Sequence, residues 1–251
     1  MMKRLAAICA TWIVLSSVVY ADDALIAVAS NFTDVAQQLE TAFEAETGHQ
    51  ITIAGGSTGS LYAQILHGAP YDVLLAADQD RPILLENSGN AISGSRFTYA
   101  TGRLALWSAN AGLIQSDPLT TITQKKIVAF AIANPDLAPY GIASREALLS
   151  LHVWDKIKDK IVMGENIGQA HALVATGNAQ AGLVALSLVE NNNRSRGGAY
   201  LVIPEDLHAP VRQDAVLLRH GENNSAATGF VSFLQSSHGK EIIRAKGYGV
   251  D

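Results

Sequence analysis

The stretch QITIAGGSTGSLYAQIL, residues 50–66, decides the fold class because it joins a strand pattern to a helix pattern through one tight turn. Residues 50–54 have the composition of a short strand. The residues after the turn place apolar side chains at the spacing of one helix face, at Leu61, Tyr62, Ile65 and Leu66. A strand that runs directly into a helix is the repeating unit of α/β proteins.

The glycine-rich turn of this unit, GGSTGS at residues 55–60, offers hydroxyls and backbone N–H groups at a helix N-terminus, with no lysine or arginine. Such a place can hold a small anion by hydrogen bonds alone. The plainer interpretation is a helix cap, because Ser and Thr satisfy free backbone donors there. For this turn taken by itself, the cap is the favoured interpretation.

The turn must also be compared with two sequence patterns of enzymes. Its residues match the G-x-S-x-G pattern of serine hydrolases, with Ser57 as the nucleophile. In that fold several strands precede the serine, whereas only two precede it here. A nucleotide-binding P-loop needs a lysine after its last glycine, and Ser60 stands there instead. A hydrolase therefore stays only as a minor alternative.

Strand and helix patterns alternate along the rest of the chain, which predicts an α/β fold with mainly parallel sheets. The predicted strands are residues 25–29, 50–54, 72–77, 104–108, 127–133, 160–163, 182–185 and 214–219. The predicted helices are residues 32–47, 61–66, 82 to about 89, 144–151, 168–175, 226–234 and 240–246. The polar, glycine-rich residues 191–198 are predicted to form a surface loop.

The first 21 residues have the pattern of a secretory signal peptide. Lys3 and Arg4 form a basic start, residues 5–20 are uncharged and apolar, and small residues precede a cut after Ala21. The apolar run is shorter than the ~20 residues that a membrane span needs. We therefore expect a secreted protein whose mature chain begins at Asp22.

Composition excludes several classes of function for the mature chain. It has 16 basic against 23 acidic residues, a net charge of −7, which argues against nucleic-acid partners. Cys9 lies inside the predicted signal, so no cysteine is left for a disulfide or a thiolate ligand. The seven histidines are scattered without metal-ligand spacing, and we expect no metal cation and no cofactor.

Three more loops place hydroxyls or backbone N–H groups at a predicted helix start. Ser30 and Asn31 follow the first strand. Two prolines stiffen the loop at residues 134–141 and hold the N–H of Tyr140 outward. Ile167, in the loop after the strand at residues 160–163, offers only its backbone N–H. Each loop alone is an ordinary cap or turn.

The four loops in this order resemble the periplasmic molybdate-binding proteins of ABC transporters, a group of class II solute-binding proteins. The similarity covers essentially the whole mature chain. The segments that carry it are ASNF (29–32), GSTGSLYAQI (56–65), GAPYDV (68–73), AAD (76–78), GSRFTYA (94–100), AIANP (131–135), APYG (138–141), GENIGQ (164–169), GLVALS (182–187) and RQDAV (212–216).

The resemblance implies two α/β lobes that are joined by two crossover strands, with the ligand in the cleft. Lobe 1 is expected to comprise residues 22–101 plus 214–251, and lobe 2 residues 102–213. The residues implied to bind the oxyanion are Ser30, Asn31, Ser57, Thr58, Tyr140 and Ile167. A tyrosine that some members add has Ala185 in its place here, so the side chain of Tyr140 or Asn166 is a candidate replacement.

The resemblance further implies a monomeric receptor, not an enzyme, that captures molybdate or tungstate and delivers it to an inner-membrane permease. A receptor for sulfate or another oxyanion is the nearest alternative. Within the glycine-rich turn, Thr58 is expected to contribute its hydroxyl first and Ser57 second. Molybdate is a fully deprotonated dianion at neutral pH, so a site built only of donors suits it.

Overall fold

The computed structural model describes residues 21–190 and 198–250. The predicted signal peptide, apart from Ala21, and the predicted loop, apart from Gly198, lie outside the described residues. None of the described helices combines the length and the apolar character that crossing a membrane requires.

The first of two five-stranded sheets has the strand order β2-β1-β3-β10-β4. Strand β1 pairs in parallel with β2 and β3, whereas β10 pairs antiparallel with β3 and β4. The strands are β1 (Asp23–Ala29), β2 (Gln50–Gly56), β3 (Val73–Leu75), β4 (Phe97–Gly102) and β10 (Val211–Leu217). The helices around this sheet are α1 (Thr33–Thr47), α2 (Thr58–Leu66), α3 (Asp80–Asn87), α9 (Ser225–Gln235) and α10 (Ser237–Arg244).

The second sheet has the order β7-β6-β8-β5-β9 and repeats this design. Strand β6 pairs in parallel with β7 and β8, and β5 pairs antiparallel with β8 and β9. The strands are β5 (Leu104–Ser108), β6 (Phe130–Ala133), β7 (Ile161–Gly164), β8 (Ala181–Ala185) and β9 (Ala199–Val202). The helices are α4 (Pro118–Ile122), α5 (Pro139–Ser150), α6 (Trp154–Ile157), α7 (Ile167–Ala175) and α8 (Leu186–Glu190).

The chain passes between the sheets through two strands that pair with each other. Strand β4 ends at Gly102, and β5 of the other sheet begins two residues later. The return strand β10 pairs antiparallel with β4, from Val211 opposite Gly102, and the register shifts between Gln213 and Asp214. We refer to β4 and β10 as the crossover strands. The domain boundaries predicted from the sequence fall within them.

The α/β prediction is confirmed, with a parallel core in each sheet. Each sheet also has an antiparallel side, formed in the first by the returning β10 and in the second by β5, which enters from the first sheet. Five elements had no predicted counterpart, because they are short or their apolar pattern is weak: β4, β9, α4, α6 and α8. The predicted strand at residues 127–133 is only four residues long, Phe130–Ala133.

The central strands are buried on both faces, as expected when helices cover both sides of a sheet. All residues of β3, β5, β6 and β8 are buried. The hydrophobic core of the second sheet also includes Ala29 and Ala77, which stand at the ends of first-sheet strands. The two lobes therefore touch where the carboxyl ends of β1 and β3 face the second sheet.

Candidate anion-binding site

All six residues predicted to bind an oxyanion line one small cavity between the two sheets. Ser30 and Asn31 follow β1, and Ser57 and Thr58 follow β2; these form the first wall. Tyr140 and Ile167, which lie after β6 and β7, form the second wall. The cavity is small, with a volume of about 10 Å³. Its position, beyond the carboxyl ends of parallel strands, is the usual place for a ligand in open α/β sheets.

Two hydroxyls of the first wall have a proton to offer. The Oγ of Ser30 accepts a hydrogen bond from the N–H of Gly168 at 3.3 Å. The Oγ1 of Thr58, which is fully buried, accepts from the N–H of Ala77 at 3.0 Å. A hydroxyl carries one proton and two lone pairs. Because each oxygen is held as an acceptor, each proton can be donated into the cavity.

Ser57, in contrast, uses its hydroxyl as a helix cap. Its Oγ accepts from the N–H of Ser60 at 3.2 Å and donates to the Oγ of Ser60 at 2.7 Å. Ser57 has extended backbone dihedrals at the N-cap of α2, as such a cap requires. The geometry supports Thr58 ahead of Ser57 as the hydroxyl donor in this turn.

The side-chain nitrogen of Asn31 is fully used in hydrogen bonds within the protein. The Nδ2 group donates to Gln213 Oε1 at 2.9 Å and to the Tyr248 hydroxyl at 3.0 Å, so both of its protons are in use. Its Oδ1 is buried and accepts no hydrogen bond from the described residues. The backbone N–H of Asn31 is therefore the donor that this residue can offer to an anion.

The second wall presents backbone N–H groups at two helix starts. Tyr140 is the second residue of α5, after Pro139, and Ile167 is the first residue of α7. N–H groups in the first turn have no acceptor within the helix. The Oδ1 of Asn166 caps α7 by accepting from Gln169 N at 3.0 Å, which leaves the N–H of Ile167 for another acceptor.

The electrostatic field of the cavity comes from dipoles. The N-termini of α2, α5 and α7 all border it, and each carries a partial positive charge of about +0.5. No Asp, Glu, Lys, Arg or His is among the described residues that line the cavity. Tyr140 is the titratable residue among the described lining residues, and burial raises the pKa of its hydroxyl well above the usual value. The site therefore favours an anion without a fixed countercharge.

The two walls are in direct contact beside the cavity. The N–H of Gly59, on α2, donates to the carbonyl of Leu137 in the second lobe at 2.9 Å. A Cβ on residue 59 would lie 2.7 Å from that carbonyl oxygen, so only glycine permits this approach. Together with the bond from Gly168 to Ser30, this contact holds the two lobes together around the cavity.

A wider groove adjoins the cavity and shares Ala77 and Pro139 with it. Both lobes contribute to this groove, which includes the carboxylates of Asp78 and Glu146. Burial raises the pKa of Asp78, although its ion pair with Arg81 opposes the shift. The acidic groups thus lie outside the cavity, where they do not oppose a bound anion at contact distance.

The hydroxyl of Tyr140, one candidate replacement for the missing tyrosine at Ala185, accepts a hydrogen bond from Nε2 of Gln213 at 3.4 Å. Sequence reasoning missed Gln213 and Tyr248, whose side chains contact Asn31. A signal for Gln213 existed, because the polar residues Arg212, Gln213 and Asp214 stand between the apolar Val211 and the apolar run at residues 215–218. Tyr248 lies far from the anion-binding loops in sequence and gave no signal.

The hydrolase alternative finds no catalytic base. None of the seven histidines, all of them in the described part of the chain, lines the cavity that contains Ser57. Six of them contact other groups: His220 binds Asp72, His238 binds Glu46, His208 and His67 contact the carbonyls of Ala209 and Ala63, His49 accepts from the N–H of Asp22, and His171 stacks on Trp107. Among the described residues, no group of three or more His, Cys, Asp or Glu side chains could hold a metal ion.

Comparisons with known proteins agree with this architecture. Residues 24–249 match the family of bacterial extracellular solute-binding proteins. The molybdate-binding protein ModA of Azotobacter vinelandii is 44% identical over 90% of this chain and 89% of its own length. The ModA protein of Rhodobacter capsulatus is 41% identical over 91% and 88% of the two chains.

Solved structures of solute-binding proteins have the same fold. The periplasmic molybdate-binding protein of Azotobacter vinelandii superimposes with a TM-score of 0.86 at 37% identity, over 91% of this chain and 99% of that one. The sulfate-binding protein SubI of Mycobacterium tuberculosis superimposes with a TM-score of 0.74 at 12% identity, over 92% and 87% of the chains. The second likeness concerns the fold alone.

Proposed function

The chain belongs to the family of bacterial extracellular solute-binding proteins, and from that premise we propose that it binds molybdate, and tungstate with it, and delivers the anion to an ABC permease. The observation that carries the proposal is the arrangement of the cavity. Free hydroxyl protons and first-turn N–H groups converge there from both lobes, and no charged side chain is among the described lining residues.

Donor chemistry explains why this site suits molybdate. The anion is a tetrahedral acceptor with no proton at neutral pH, so every group in contact with it must be a donor. Hydrogen bonds to a charged partner contribute about 1.5–3 kcal/mol each. About five of them are of the size needed to offset an association cost of about 4–15 kcal/mol. Tungstate matches molybdate in charge and shape.

The residues have different roles in this proposal. Ser30 and Thr58 donate through their hydroxyls, and Asn31, Tyr140 and Ile167 donate through backbone N–H groups. Ser57 holds the start of α2 in place. The function is binding and transport, as in the molybdate-binding relatives, and no residue is assigned a catalytic role.

Capture and release are proposed to follow from motion of the two lobes about the crossover strands, a hinge motion of the kind common to periplasmic receptors. The lobes are residues 22–101 plus 214–251, and residues 102–213. We propose a monomer that acts in the periplasm after removal of residues 1–21. The related protein of Azotobacter vinelandii is itself described as periplasmic.

Calorimetric titration with four oxyanions tests the function. We expect submicromolar binding of molybdate and tungstate, and much weaker binding of sulfate and phosphate. Phosphate near pH 7 keeps a proton that needs an acceptor, and sulfate is smaller. Tight binding of sulfate without a response to molybdate would replace the proposal with a sulfate receptor. Hydrolysis of an ester probe that Ser57→Ala abolishes would replace it with an esterase.

A further inference from the structure

A buried group of polar side chains lies behind the cavity, next to the crossover strands. At its centre is the carboxamide of Gln213, which is fully buried on β10 at the point where the pairing with β4 is irregular. A buried carboxamide is costly unless its hydrogen bonds are made. The partners of Gln213 therefore indicate what the residue does.

The Gln213 carboxamide connects the two walls of the cavity. Its Oε1 accepts from Asn31 Nδ2 at 2.9 Å and from the hydroxyl of Tyr99 at 3.1 Å. Its Nε2 donates to the hydroxyl of Tyr140 at 3.4 Å. Asn31 belongs to the first wall and Tyr140 to the second. One side chain on a crossover strand thus contacts an anion-site residue from each lobe.

The same group packs directly against the other crossover strand. A Cβ on Gly102, the last residue of β4, would overlap both the Tyr140 hydroxyl and Gln213 Nε2. No space remains there for independent motion of these side chains, since close-packed interiors transmit displacement. A change in the angle between the lobes therefore alters the contacts that Gln213 makes with Asn31 and Tyr140.

The hydrogen-bonded group keeps its protons over the neutral pH range. Burial raises the pKa values of Tyr99 and Tyr140 well above the usual value, and raises the pKa of Tyr248 to about 12. Tyr248 extends the group, because its hydroxyl donates to the carbonyl of Asn31 at 2.7 Å and lies 2.8 Å from Ser187 of the second lobe.

We propose that Gln213 is a positioning residue that couples the crossover strands to the anion cavity. Its carboxamide fixes Asn31 and Tyr140 relative to each other in the arrangement that binds the anion. Gln213 does not touch the ligand, and it lowers the cost of bringing the two walls together. This role rests on the proposed function, since it concerns the affinity for that anion.

The test compares molybdate affinity in variants of the mature chain. Gln213→Met preserves length and removes the hydrogen bonds, and we expect Kd to rise about 3- to 10-fold. Tyr140→Phe keeps the backbone N–H and removes only the hydroxyl, and we expect a smaller rise. In the double variant the effects should be less than additive, because the bond between the two residues is lost once.

Gln180→Met is the matched control. The Oε1 of Gln180 accepts from the N–H groups of Val128 and Ala129, so its bonds stay within the second lobe. We expect Gln180→Met to lower the unfolding temperature and to leave Kd unchanged. If the role of Gln213 were purely structural, Gln213→Met would also lower the unfolding temperature and leave Kd unchanged.

The outcomes separate the two proposals. If the wild-type chain does not bind molybdate, the proposed function fails and this role fails with it. If the wild type binds and Gln213→Met binds equally well, only the positioning role is wrong. Equal losses in Gln213→Met and Gln180→Met, or additive effects in the double variant, would also overturn it. Should Gln213→Met fail to fold, an unchanged Kd in Tyr140→Phe decides against the proposal.

Discussion

The two walls of the cavity use different chemistry to present hydrogen-bond donors. The first wall uses side-chain hydroxyls, Ser30 and Thr58, whose oxygens are held by backbone N–H groups. The second wall uses the backbone N–H groups of Tyr140 and Ile167 at two helix starts. One wall therefore depends on residue identity, and the other depends on where a helix begins.

This difference has a consequence for the side chains of the second wall. Because the backbone makes the donors there, the side chains are free to serve the interior. Ile167 packs into the core of the second lobe, and Tyr140 extends its hydroxyl to Gln213. On the first wall, Thr58 has no such freedom, since its hydroxyl accepts from Ala77 and is also the proposed donor to the anion.

Removal of the Thr58 hydroxyl tests the first wall and has the largest expected effect. Thr58→Ala should weaken molybdate binding by about 1.5–3 kcal/mol, the contribution of a hydrogen bond to a charged group. Thr58→Ser keeps the hydroxyl and should retain most of the affinity. Calorimetry measures both.

Ser57→Ala is the control for that experiment. It removes the neighbouring hydroxyl, whose proton serves the helix cap, and should cost about 1 kcal/mol of stability with little change in affinity. The opposite result, a large loss of affinity for Ser57→Ala and none for Thr58→Ala, would exchange the roles of the two residues.

Contact between the two walls is tested at Gly59. Gly59→Ala places a Cβ 2.7 Å from the carbonyl oxygen of Leu137 when the lobes are together, so binding should weaken by about 1–3 kcal/mol. The intrinsic helix propensity of alanine is better than that of glycine by about 1 kcal/mol. The unfolding temperature of the ligand-free protein should therefore stay the same or rise.

Gly229→Ala, in α9 and away from the cleft, supplies the comparison for Gly59→Ala. Its Cβ would meet only the ring of Phe43, at 3.3 Å, and the affinity for molybdate should not change. Full affinity in Gly59→Ala would mean that binding does not require the contact between Gly59 and Leu137.

The second wall predicts tolerance of side-chain changes. Ile167→Val keeps the backbone N–H and removes one buried methylene, so it should cost about 0.5–1.5 kcal/mol of stability. The Kd for molybdate should stay within about twofold of the wild-type value, because a backbone donor does not depend on the side chain. Chemical denaturation and calorimetry measure the two quantities. A loss of affinity as large as that of Thr58→Ala would show that the walls do not differ in this respect.

The smallest expected effect is that of pH. Tyr140 is the titratable group among the described lining residues, and burial raises the pKa of its hydroxyl, so it stays protonated from pH 7 to 9. Binding should then neither take up nor release a proton, and the slope of log Kd against pH should be zero. Calorimetry at three pH values, each in two buffers of different ionisation enthalpy, measures this.

A finite pH slope would mean that another group titrates with binding. Asp78 is one such carboxyl in the adjoining groove, and burial raises its pKa. A slope that disappears in Asp78→Asn would place the proton in the groove, whereas one that persists would contradict the dipole-only description of the cavity.

Much of the fold and of the candidate site was predictable from local patterns. Apolar runs bounded by glycine and proline located most strands and helices, and the resemblance carried by the four short loops named six residues that all line the cavity. The crossover strand β4 was not predicted as a strand, because its six residues are only partly buried and lack a clear apolar alternation. It also did not find the partners of Asn31, which come from positions 182 and 217 residues further along the chain.

The sequence by itself determined which groups are available: hydroxyls and helix starts in the loops, and no lysine or arginine among them. These are local properties, because caps and turns depend on residues within a few positions of each other. Only the tertiary structure decided how each group is used. The Thr58 hydroxyl accepts from Ala77, which leaves its proton available, whereas the Ser57 hydroxyl donates its proton to Ser60. The Tyr140 hydroxyl lies next to Gln213. Hydrogen-bond partners distant in sequence make that choice, since a group can donate to a ligand only with a proton that no neighbour has taken.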